Sequence, residues 1–235
     1  MSIDITLNLG EDARGKDPDI YSATLKKYHK ILWGKELPSG SQFTISDSLN
    51  GKYLVYQTTN LSIELGSDCI ANSYANSKSK EMIEILSGVP RETVDSFYSL
   101  NNTIGAFILF PSTRVDGQMT INGARGFNPL IADRFDLTLE CVRRHYAQEA
   151  SPLAEVLTRY EEFFNLFQTF ENFVEFFYLK NLLTSSGSIN FFIKNRDPFT
   201  GRAYPKDAHE YLEYRENSMN WINARNQTIA KLHSN

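Results

Sequence analysis

The chain has 235 residues, 41% of them hydrophobic and 22% charged, and a formal net charge of −4 at pH 7. This length fits a single domain over 1–235, and the composition excludes a disordered chain, a collagen-like repeat and a coiled-coil rod. The acidic balance argues against coating nucleic acid by bulk charge and leaves a local basic cleft open.

Ile3, Ile5 and Leu7 alternate with polar residues, which predicts a strand at 3–8, and GEDARGKDPD at 10–19 reads as loop. Ser22 is a competent cap for a helix over ATLKKYHKILW, closed by Gly34, with Leu25, Tyr28 and Leu32 on one face. His29 sits in the same helix beside Tyr28 and Trp33. Runs at 42–45, 53–58 and 61–65 have the composition of an antiparallel meander. Residues 72–80 read as loop, 80–87 and 90–99 as helices, and 104–110 as a buried strand.

The second half reads as helical. Asn128-Pro129 predicts a helix running through Tyr146, and Ser151-Pro152 predicts another to Phe167. Thr169 can cap a further helix that ends before 184–188, INFFIK at 189–194 returns as a strand, and a final helix spans 207–232. The fold class is therefore α+β. A small, mostly antiparallel sheet in a strand-bearing part at 1–127 is packed by aromatic-rich helices at 128–235. The chain holds 16 Phe, 12 Tyr and 2 Trp, and nine of these rings fall between Tyr160 and Tyr178. Their helical spacing without interleaved Lys or Arg suits a core helix pair or a self-association face better than a base-stacking platform. Phe164, Phe167, Phe173 and Phe177 are expected inside, with the chain broken near Gln168-Thr169.

Cys69 and Cys141 have no paired spacing and the four histidines are scattered, so no metal site is assigned and the cofactor is unknown. The apolar run at 104–111 is far shorter than the roughly 18–20 residues that span a bilayer, so no membrane is expected. The opening MSIDITLNLGEDARG has neither a basic n-region nor an apolar h-region, which predicts a reducing, cytoplasmic setting.

The polar segment 111–146 follows the most apolar strand and holds the residue types of a site. Gly117, Gly123 and Gly126 let backbone N–H groups turn toward an anion just before the expected helix start. Arg114, Asn122 and Arg125 are candidate ligand-binding residues, since forked guanidinium donors match phosphate or carboxylate oxygens. Neither GxxxxGK[ST] nor GxGxxG occurs. Asp116 and Asp133 are candidate catalytic acids and His145 a candidate general base; the same acids also suit plain ion pairs with the arginines. On a helical wheel Asp133, Asp136, Glu140, Arg143 and Arg144 oppose the apolar face. They form either a carboxylate array for a divalent ion or an exposed, internally neutralised stripe. Arg215 and Arg225 fall near the buried stripe of the last helix. They either pair with the acids of 133–140 or line a binding cleft, with Arg215 a further candidate ligand residue.

Three stretches, DPDIYSATLKKYHKILWGKELPSG (17–40), FPSTRVDGQMTINGARGFNPLIADRFDLTLECVRRHY (110–146) and EYLEYRENSMNWINARN (210–226), resemble a widespread bacterial family of uncharacterised proteins, a domain of unknown function. The resemblance spans most of the chain and implies one domain. It implies no activity, so it transfers no catalytic residue.

Two function classes follow. One is a cytoplasmic protein that binds or processes an anionic ligand, a nucleotide or nucleic-acid phosphate, at the 112–128 loop, with Arg125 pointing into the main polar cleft. The other is a non-enzymatic interaction module that meets a protein partner or a second copy through its aromatic helices, as in phage defence or counter-defence.

Overall fold

A computed structural model describes residues 3–233. The chain opens with two short helices, α1 (Leu9–Asp12) and α2 (Pro18–Tyr21), where the sequence predicts a strand and a loop. Residues 3–8 have no neighbouring strand to pair with. Instead the Asp4 carboxylate accepts from the Thr6 amide and hydroxyl, and Asn8 caps α1 through its side-chain oxygen. Helix α3 (Ala23–Trp33) forms as expected: Ser22 Oγ accepts from the Leu25 amide at 2.9 Å, and Leu25, Tyr28, His29, Leu32 and Trp33 are buried.

Strands β1 (Ile45–Asp47), β2 (Leu54–Gln57), β3 (Ser62–Cys69) and β4 (Phe107–Pro111) form an antiparallel meander in that order. Helices α4 (Lys80–Ser87) and α5 (Arg91–Leu100) lie between β3 and β4. Every residue of β4 is buried, which its unbroken apolar run predicts. Its register against β3 pairs Ser67 with Leu109 and Asp68 with Ile108, and so places two polar groups opposite the fully buried strand.

The helical half is more broken than its pattern predicts. Helix α6 (Ile121–Phe127) occupies what reads as a glycine-rich loop. Asn128 ends α6 rather than opening a helix, because its Oδ1 accepts from the Leu130 amide and its Nδ2 donates to the Pro152 carbonyl. The chain then passes through left-handed backbone at Ala132 and Asp133, φ 47° and 62°, and α7 (Phe135–Tyr146) begins only after that kink. Short helices α8 (Ala154–Arg159), α9 (Glu161–Asn165) and α10 (Phe170–Phe176) follow. The break falls at Gln168, φ 66°, and the Thr169 side chain caps α10 as anticipated. Residues 189–194 are not a strand; Ile189 makes one isolated bridge to Leu183. The last helix, α11 (Ala208–His233), runs 26 residues. The molecule is α+β, with the sheet in the N-terminal half and the helices gathered behind it.

The aromatic stretch is core. Phe164, Phe167, Phe173 and Phe177 are each 0% exposed and meet one another and Trp33 edge-on or tilted. These four rings are therefore spent on the core.

Helix α11 docks on the start of β4 through Gly105 and Arg225. The Gly105 amide donates to Asn226 Oδ1 at 2.7 Å, and a Cβ at this position would lie 2.5 Å from that oxygen and 2.8 Å from the Ile222 carbonyl. Arg225, 0% exposed, donates to the carbonyls of Gly105, Phe107 and Phe177 and lies over Trp33 and Trp221. Its partners are therefore carbonyls and rings, not the acids of 133–140.

Two stability outcomes follow. Phe173→Ala is expected to lower the unfolding free energy by about 3–5 kcal/mol in urea denaturation, since the site is closed by other rings. Gly105→Ala is expected to cost about 1–3 kcal/mol or more in the same assay, because one of the atoms met is backbone that must shift.

Candidate functional site

Helix α6 helps build two polar cavities. The first is a groove of about 770 Å³ between residues 114–128 and α8. Arg114, Thr120, Gly123, Phe127 and Asn128 line it from one side, and Glu155 and Arg159 from the other. Arg114 is exposed and makes no hydrogen bond or ion pair among the described residues. Arg159 donates to Glu155 Oε1 at 3.1 Å and to the Met119 carbonyl at 3.0 Å, while its buried Nε–H has no acceptor. Phe127, 79% exposed, and Met119, 48% exposed, supply an apolar wall.

The second cavity is an acidic cleft formed by two adjoining compartments of about 300 and 270 Å³, which share Asn72, Ser73, Tyr98 and Asp133. Asp17, Asp19, Asp68 and Asn101 line the first compartment. Arg125, whose partners Asp68 and Asp133 line the cleft, is 0% exposed, ion-pairs with Asp68, lies 3.7 Å from Asp133 Oδ1 and donates through Nε to Thr138 Oγ1 at 2.9 Å. Burial lowers the guanidinium from its ordinary value and Asp133 opposes that. Three residues with left-handed backbone, Tyr74, Ala132 and Asp133, line the cleft, and the Tyr74 hydroxyl ties it together by donating to the Ala132 carbonyl at 3.0 Å. Each such residue stores of order 1–3 kcal/mol, which the surrounding packing must offset.

Asp19 is the perturbed group in this cleft. Burial, and secondarily the neighbouring Asp17, push its carboxyl up to about 8, against a smaller lowering from the Ser67 hydroxyl. Ser67 belongs to a chain of buried groups. Trp33 Nε1–H donates to His29 Nδ1 at 2.9 Å, so the His29 proton sits on Nε2, which donates to Ser67 Oγ at 2.9 Å. Burial draws His29 down to about 3, so the ring stays neutral. With Nε2 protonated it does not activate Ser67 as a nucleophile, despite the serine–histidine contact. Burial also pushes Cys69 and Cys141 up to about 12, so neither thiol is poised to react. Among the described residues no group of three or more His, Cys, Asp or Glu side chains is placed to hold a metal ion.

The residues singled out from sequence scatter over the molecule. Arg114 lines the groove, and Asp133 lines the cleft. Arg125 turns away from the groove and is satisfied by protein carboxylates, so it is not a donor to an outside anion there. Asn122 donates to the Ser67 carbonyl at 3.2 Å and ties α6 to β3. Asp116 sits exposed on a left-handed turn, φ 51°, and lines neither cavity. His145 lies on a different cavity of about 480 Å³, packed 5.1 Å from Phe164. Arg215 donates to the Thr93 carbonyl and Ser96 hydroxyl, which fastens α11 to α5, and lines neither cleft. The acids of α7 are occupied: Asp136 bonds Arg134 and the Phe192 amide, and Glu140 is held between Arg143 and Arg144. Both are buried, which corrects the exposed stripe read from the wheel.

Over residues 3–229 the chain matches the model of a family of unknown function (DUF6994). The chain belongs to this family. No curated protein and no solved structure matches it. Membership thus brings no assigned activity, and the chemistry rests on the two clefts. Among the described residues no helix is long and apolar enough to cross a membrane.

Asp17, Asp19, Asp68 and Asn101 escaped notice in the sequence because they come from three separate segments. The signal that pointed to one of them was the DPD triplet at 17–19, which composition alone assigns to loop.

The Asp19 shift has a measurable sign. Its ordinary value is 3.8, so between about pH 4 and pH 8 the unfolded chain has lost this proton while the folded chain keeps it. Stability contributed by this group is therefore full at acid pH and lost as pH rises through that window. Asp19→Asn should flatten the dependence of melting temperature on pH across it and stabilise the protein at pH 8, by on the order of 5 kcal/mol.

Proposed function

We infer that the protein binds an amphipathic anion of the nucleotide class in the groove between residues 114–128 and α8. The observation that carries this reading is Arg114, an exposed guanidinium with no hydrogen bond or ion pair among the described residues, at the edge of a 770 Å³ groove that also holds Arg159 and the exposed ring of Phe127. A phosphate accepts forked hydrogen bonds from Arg114 and competes with Glu155 for Arg159, while a base stacks on Phe127. The site takes its cations from Arg114 and Arg159 rather than from Arg114 and Arg125. Binding is the function that this geometry supports, because the groove offers guanidinium donors beside an apolar wall.

Calorimetric titration with ATP, inorganic phosphate and adenosine tests the reading. ATP should bind, with affinity falling as salt rises, and adenosine should bind far more weakly. Arg114→Ala should weaken ATP about tenfold or more while leaving the melting temperature unchanged, because the side chain holds no structural partner. No heat with ATP or phosphate, or an unchanged affinity in Arg114→Ala, overturns it.

A further inference from the structure

The acidic cleft on the other side of α6 has unmet acceptors rather than unmet donors. The buried cation paired with its acids, Arg125, is already answered by Asp68, Asp133, Thr138 and the Cys69 carbonyl. Two buried oxygens that line the cleft have no donor: Asp19 Oδ1 and Asn101 Oδ1. Asn101 is 6% exposed, and its Nδ2 is committed to the Ala71 carbonyl at 3.0 Å, so the carboxamide cannot flip to hide the unpaired oxygen without losing that bond. A ligand with N–H groups can donate to both oxygens. The excess of Asp17, Asp19, Asp68 and Asp133 over Arg125 selects a cation. The absence of a metal-holding triad among the described residues makes that cation organic.

We propose that this cleft binds a small linear diamine through its primary ammonium groups. One ammonium donates to Asp19 Oδ1 and Asn101 Oδ1 in the first compartment. The second reaches Asp133, which lines both compartments, and the methylenes lie against Tyr98 and Phe107. Arrival of the cation displaces the proton of Asp19, whose surroundings are Asp17, Asp68, Asp133, Arg125 and the Ser67 hydroxyl backed by neutral His29. The carboxyl, pushed up to about 8, is protonated in the empty cleft at neutral pH and ionised in the filled one.

Calorimetry of the full chain with 1,4-diaminobutane, in two buffers of different ionisation enthalpy at pH 7, reads affinity and proton release together. The expected result is saturable binding with about one proton released, and affinity that tightens about tenfold from pH 6 to pH 7. Tetraethylammonium, which has charge but no N–H, should not compete. Asp19→Asn should abolish the proton release and weaken binding. Asp17→Asn, which keeps its helix cap, should weaken binding and retain the release. Arg114→Ala should bind the diamine as the parent does, so the groove and the cleft fail or succeed separately. Absence of saturable heat, equal competition by tetraethylammonium, or a proton release that survives Asp19→Asn overturns the proposal.

Discussion

A guanidinium sealed from water keeps its charge only if the fold surrounds it with acceptors, and Arg225 is sealed without a carboxylate in reach. Burial draws it down to about 9, and three carbonyls and two indole faces hold it. Those carbonyls belong to the entry of β4, to β4 itself and to the end of α10, so one side chain joins the sheet, the aromatic helices and α11. The arrangement requires α11 to touch the backbone at residue 105, and only glycine leaves room for that approach. The sheet is small, with strands of three to eight residues, and this buried cation compensates by anchoring helices that the sheet alone could not order.

Arg125 meets the same constraint by the opposite route. It is equally buried, but Asp68 on β3 and Asp133 before α7 neutralise it. Drawing those carboxylates inward forces left-handed backbone at Ala132 and Asp133 and delays the start of α7. It also concentrates acids at one place, where Asp17 and Asp19 join them from α2. The raised pKa of Asp19 is thus a consequence of its burial where α2 packs on β3, with Asp17 beside it. Charge that stabilises α6 on the sheet leaves an acidic cleft beside it, while Arg114 and Arg159, which no carboxylate draws inward in that way, give the opposite face of α6 a different electrostatic character.

Local signals transferred well to local structure. Ser22 caps α3, Thr169 caps α10, β4 is as buried as its composition requires, and the Phe-rich stretch fills the core. Errors arose where one side chain had two available bonds. Asn128-Pro129 has the form of a helix start, yet Asn128 closes a turn and reaches Pro152, a partner 24 residues away. Residues 3–8 alternate as a strand does, but no edge is offered to them. On α7 the wheel identified the apolar face correctly and misplaced Asp136 and Glu140, because Arg134, Arg143 and Arg144 make their burial tolerable.

By itself the sequence determined what each segment does with its nearest neighbours: the α+β class, the meander, the capped helices and the identity of the core rings. Those outcomes depend on periodicity and on caps that reach three residues along the chain. Which polar residues meet was decided only in three dimensions. Asp19, Asp68, Asn101 and Asp133 lie on four different segments and converge because Arg125 needs carboxylates and α2 closes over the sheet. Whether an arginine points to a ligand or to the core follows from the balance between desolvation and partners, and those partners exist only once the chain has folded.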